Sequence, residues 1–150
     1  MEAAGLHYAA LDLDWLAWAW SDDQDAGEET HPTASPLLLE HLGLVVANLR
    51  RRGNDRYALA GSIASDAELA QLRTTMAMPL RVVLLTAPLD VIRARLGEEP
   101  TAGRAADLTR AMDWADGDGG PQRVPADLVV SNDRPVAEVA GGILAALGWR

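Results

Sequence analysis

Residues 81 to 86 read RVVLLT, an unbroken branched-apolar run, and Pro88 and the helical stretch LDVIRARL follow at once. A strand apolar on both sides is satisfied only where helices cover both faces of its sheet, which is the situation of strands in parallel sheets. This segment steers the chain toward α/β architecture. Tyr8 to Leu13 reads as another short apolar strand, ending in acid, and Tyr57 to Ala60 as a third, ending at Gly61. Asp127 to Ser131, DLVVS, is the last.

Helix signals fall between these strands. Ser35-Pro36 opens a helix, because serine accepts from free backbone N–H groups and proline suits the first turn. Arg50, Arg51, Arg52 and then Gly53 close it, and Leu38, Leu42, Val45, Val46 and Leu49 form its core-facing stripe. Ser65 with Glu68 is a capping box that predicts a helix from Asp66 to about Met76. Further helices are expected over Ala105 to Ala115, before the glycine-rich break DGDGG, and over Pro135 to Leu147. Strands alternating with helices at this spacing predict a mostly parallel sheet. Residues 21 to 35, with Asp22, Asp23, Asp25, Glu28 and Glu29, read as an acidic surface loop or flap. Met1 to Gly5 has the composition of a helix's last turn, so the chain is expected to begin inside an element, with a preceding strand and most of a helix missing.

Composition narrows the function classes. With 150 residues, 49% of them hydrophobic, a single domain over 1–150 is expected. No run reaches the ~18 to 20 apolar residues of a membrane span, so the expectation is a soluble, cytoplasmic protein with no membrane partner. The absence of cysteine excludes disulfides, thiolate zinc sites and cysteine nucleophiles. A net charge of −9 disfavours nucleic acid as a partner. All 13 basic residues are arginine, so any mechanism that needs a lysine from these residues is closed.

Candidate chemistry centres on L-D-L-D-W at 11 to 15. Residues two apart on a strand share a face, so Asp12 and Asp14 could both address one site at a strand's carboxyl end; acids that simply end a strand are the alternative. Trp15, Trp18 and Trp20 either floor a pocket or fill apolar space. Arg93 and Arg95 lie on different helical faces, so at most one points inward, and Arg93 is preferred. DGDGG lacks the glutamate a calcium loop needs and reads as a flexible turn. His7, His31 and His41 receive no role. Ser62 lacks the G-x-S-x-G turn of a hydrolase.

A strand ending D-x-D, a helix ending in arginines and glycine, a strand ending in glycine, VVLLTAPLDVIRARL and LVVSNDRPVAEVAGGILAALGW together resemble P-loop small-molecule kinases. Nearest are bacterial P-loop ATPases of the adenylylsulfate kinase-like group, with shikimate kinase and chloramphenicol phosphotransferase as more distant relatives. The resemblance spans essentially the whole chain through loose motifs. It implies a three-layer α/β fold, with Asp12 toward magnesium and Asp14 toward a substrate hydroxyl. Gly61 would let substrate approach the backbone, and Arg93, Arg95 and Arg104 would meet phosphate at the lid. Asn132 and Asp133, with Arg134, would pack against adenine. Ala60-Gly61-Ser62 is not the glycine triplet that shikimate binding uses.

The departure from the family is its phosphate cradle, G-x-x-x-x-G-K-[ST], which holds the β and γ phosphates. Nothing like it occurs here. The family's first, central strand and most of the first helix are therefore expected to be missing, and ATP and Mg2+, implied by resemblance only, are not expected to bind well. The strands at 57–60 and 81–86 would then pair directly, leave a gap or take a strand from a partner, with self-association as one consequence. Two functions remain open: a truncated, inactive form of an ATP-dependent kinase that phosphorylates a small-molecule hydroxyl, and a non-catalytic module that binds a small ligand or a protein.

Overall fold

Ser35 caps a 16-residue helix as its sequence predicts: its Oγ accepts from Leu38 N at 3.1 Å, and Pro36 occupies the first turn. The computed structural model describes residues 7–17, 35–63, 65–97, 105, 107–109, 111–113 and 124–149. Through these the order is β1 (Tyr8–Asp12), α1 (Leu13–Ala17), α2 (Pro36–Arg51), β2 (Arg56–Ala60), α3 (Asp66–Met76), β3 (Val83–Thr86), α4 (Leu89–Gly97), β4 (Leu128–Ser131) and α5 (Val136–Ala146). The described residues 105, 107–109 and 111–113 are also helical. Met1 to Gly5, the acidic stretch 21 to 34 and DGDGG lie outside the described residues.

The chain is mixed α/β with two short parallel strand pairs, and it divides into two compact units, Met1–Leu80 and Arg81–Arg150. In the first unit β1 lies parallel to β2, with Tyr8 opposite Arg56 and Asp12 opposite Ala60. One face of this pair presents Ala9, Leu11, Tyr57 and Leu59 to a core built from Leu13, Leu38, Leu42, Val46, Leu72 and Met76. The stripe of α2 supplies three of the deepest side chains, which is why its spacing was so legible. Ser65 caps α3 through Glu68 N at 3.2 Å, and the helix closes at Ala77, whose φ of 47° is left-handed. The Arg50 guanidinium of α2 donates to the Met76 carbonyl at that end. It thereby satisfies one of the acceptors a helix terminus leaves open.

In the second unit β3 runs parallel to β4, Val83 opposite Leu128 and Thr86 opposite Ser131. Asp127 pins the register: its Oδ2 accepts from Val82 N at 2.7 Å, while its own N–H donates to Val82 O. Two expectations change here. The strand is shorter than RVVLLT, starting at Val83, and it is not covered on both faces, since Leu85 is 50% exposed. Among the described residues β3 has a single strand neighbour, β4. Among the described residues the two sheets are β1–β2 in the first unit and β3–β4 in the second. No helix among the described residues is long and apolar enough to cross a membrane.

Candidate functional site

β1 ends at Asp12, one residue earlier than the apolar pattern indicates, and Leu13 already belongs to α1. The cause is local. Asp12 Oδ1 accepts from Asp14 N at 2.9 Å, the hydrogen bond of an N-cap residue to the second helical position. Leu13, 2% exposed, then turns into the core. The geometric premise that Asp12 and Asp14 share a strand face is corrected: Asp12 closes the strand, and Asp14 sits in the first turn of the helix. Both are exposed, and Trp15 beside them is 69% exposed.

The parallel register sets Asp12 opposite Ala60, so Gly61 stands one step further along, at the same carboxyl end of the pair. Here the chain needs a glycine for packing. A Cβ on Gly61 would lie 2.9 Å from Leu13 Cβ and 3.1 Å from its Cδ1, closer than carbon atoms approach. Asp12, Leu13 and Gly61 thus form one corner, with the cap above and the buried leucine below. It is the end of a parallel strand pair at which α/β proteins place their sites.

One residue of this corner escapes sequence reasoning. His41 Nδ1 lies 2.8 Å from Leu16 O and joins α2 to the last turn of α1. The signal that would have found it is its place three residues after Leu38 and just before Leu42, on the buried side of α2 rather than its wet side.

The remaining candidates belong to the second unit. Arg93 and Arg95 are both exposed on α4. Arg104 lies outside the described residues. Asn132 follows β4, half-buried, and its N–H donates to Thr86 O at 2.6 Å. Asp133 pairs with Arg134 at 3.9 Å on the surface.

Among the described residues no three acidic or histidine side chains converge as a metal cage would require. Magnesium bound by one or two carboxylates with water and phosphate asks for less. One Asp12 oxygen is engaged as the cap of Asp14 N, which leaves its second oxygen and the exposed Asp14 carboxylate as separate oxygen donors of the type magnesium takes. These 150 residues contain no lysine and no G-x-x-x-x-G-K-[ST] loop of the kind that cradles ATP phosphates. A groove of about 310 Å³ lined by Leu39, Ala70, Gln71, Thr74 and Thr75 between α2 and α3 has no titrating group and offers no acid–base chemistry. Comparison with family models, curated proteins and solved structures gives no match for this chain.

Proposed function

We propose that these residues form the acceptor side of an ATP-dependent small-molecule kinase-type domain, of the P-loop class, and that they do not transfer phosphate by themselves. The observation that supports this reading is the corner of the first unit: β1 and β2 run parallel, and Asp12 and Gly61 stand at their adjoining carboxyl ends, where α/β proteins place their sites. In the class the phosphate loop carries a lysine, which these 150 residues lack.

Within this reading Asp14 receives the substrate hydroxyl, and Asp12, already fixed by its cap, faces the cation through its second oxygen. Arg93 and Arg95 meet phosphate charge, Asn132 and Asp133 lie against the base, and Trp15 offers an aromatic surface to a small-molecule substrate. Phosphoryl transfer depends on positioning and neutralising the phosphates, so the carboxylates alone give no useful rate. Calorimetric titration of MgATP into residues 1–150 is expected to show no binding; micromolar affinity would overturn the proposal.

The engagement of Asp12 as a helix cap favours a second reading, a non-catalytic module that binds a small ligand or a protein through the same corner. Adding a polypeptide that carries the glycine-rich, lysine-containing strand and loop separates the two. ATP hydrolysis gained on its addition and lost in Asp14→Asn supports the kinase reading. A folded complex without turnover supports the module.

A further inference from the structure

α1 contains five residues, too few to hold a helix by its own hydrogen bonds. Its start is fastened twice, by the Asp12 cap and by Leu13 pressed against Gly61. Its end carries carbonyls that have no partner within the helix. One of them, Leu16 O, meets His41 Nδ1 at 2.8 Å. A carbonyl oxygen can only accept, so the proton sits on Nδ1, in either the neutral Nδ1–H tautomer or the imidazolium. His41 is anchored between Leu38 and Leu42, which are 1% and 0% exposed, on the helix against which α1 packs.

The geometry points to His41 as a positioning residue for the Asp12–Asp14 corner. It reaches from the most deeply buried helix to the last turn of α1 and, through the Leu16 carbonyl, fixes the direction in which Asp14 and Trp15 face outward. With the start of α1 held by the cap and the end by His41, the short helix is clamped at both ends, although its own length would let it fray. The purpose assigned to the clamp rests on the acceptor role proposed above, whereas the clamp rests on the hydrogen bond alone.

Two substitutions in the full chain test it. His41→Leu keeps the bulk and loses the donor; His41→Asn returns an N–H close to where Nδ1 lies. Amide exchange followed by NMR is expected to quicken about 3- to 10-fold over Asp14 to Ala17 in His41→Leu, the factor of one ordinary hydrogen bond. Exchange in α3 should stay as it was, and His41→Asn should restore α1. Unchanged exchange in α1, equal loosening of α3, or failure of His41→Asn to rescue would each overturn the inference. Manganese ion, a carboxylate-seeking probe for magnesium, supplies the second arm. Broadening of the Asp12 and Asp14 amide signals in the wild type, weakened in His41→Leu, supports the positioning role. Equal broadening in both, with α1 loosened, overturns that role. No broadening in either counts against the acceptor reading, and the exchange result alone then decides whether His41 clamps α1.

Discussion

The described residues of the two units form similar elements, yet they bury very different amounts of side chain. Between Met1 and Leu80 the described residues include Leu38, Leu42, Leu69, Leu72, Met76 and Val46 at no more than 2% exposure. Between Arg81 and Arg150 the buried hydrophobic residues among those described are Val124 and Val139, while Leu85, Val129 and Val136 stand 50% to 77% exposed. The lesson concerns cover. RVVLLT is the most apolar strand signal in the chain, but apolarity becomes a core only when another element brings a matching stripe against it. The first unit has two capped helices to do this, and among the described residues of the second α5 meets β4 only sparsely.

Four substitutions would break or sharpen that contrast. Leu42→Ala, at the centre of the first unit, should cost about 2 to 5 kcal/mol in chemical denaturation, since it removes a fully buried side chain and leaves a cavity. A loss below about 1 kcal/mol would mean that the first unit is far looser than its burial indicates. Gly61→Ala comes next, with about 1 to 3 kcal/mol, because the new methyl meets Leu13 at the corner. Its cost should shrink when combined with Leu13→Ala, and a strictly additive pair would show that the two residues do not touch. Asp12→Ala removes the cap of α1 and should cost about 0.5 to 2 kcal/mol, read from the exchange of the Asp14 amide. Val129→Thr, on the exposed side of β4, should change the unfolding free energy by no more than about 0.5 kcal/mol. A shift like that of Leu42→Ala would place Val129 against something that covers it in solution and erase the contrast.

The sequence announced the elements whose ends carry their own chemistry. Ser35-Pro36 and Ser65 with Glu68 write helix starts in side chains that bond the backbone locally, and α2 and α3 begin where those residues say. The end of β1 was less legible, because Leu13 is apolar in either conformation and the decision rests on whether the Asp12 carboxylate turns back to Asp14 N. The cover of β3 was not legible at all, since strand apolarity records what a face prefers and not what is there to meet it. For the candidate site, the place of Asp12 and Gly61 at adjoining strand ends followed from the order of elements. The clamp by His41 did not, because a hydrogen bond to a carbonyl 25 residues away leaves no periodic trace.

The parallel pairing of β1 with β2 also sets a timetable. Parallel strands need a crossover between them, and here the whole of α1 and α2 separates the two ladder partners. Helices of this size close in roughly a microsecond, whereas a ladder between distant strands must first meet the entropy of gathering the intervening chain. α2 and α3, consecutive helices with only β2 between them and stitched by Arg50 to Met76 O, are expected to dock first, with β1 zipping onto β2 afterward. On that schedule, damage to the Asp12 corner hastens unfolding and leaves the refolding rate nearly untouched, while damage to Leu42 slows refolding itself.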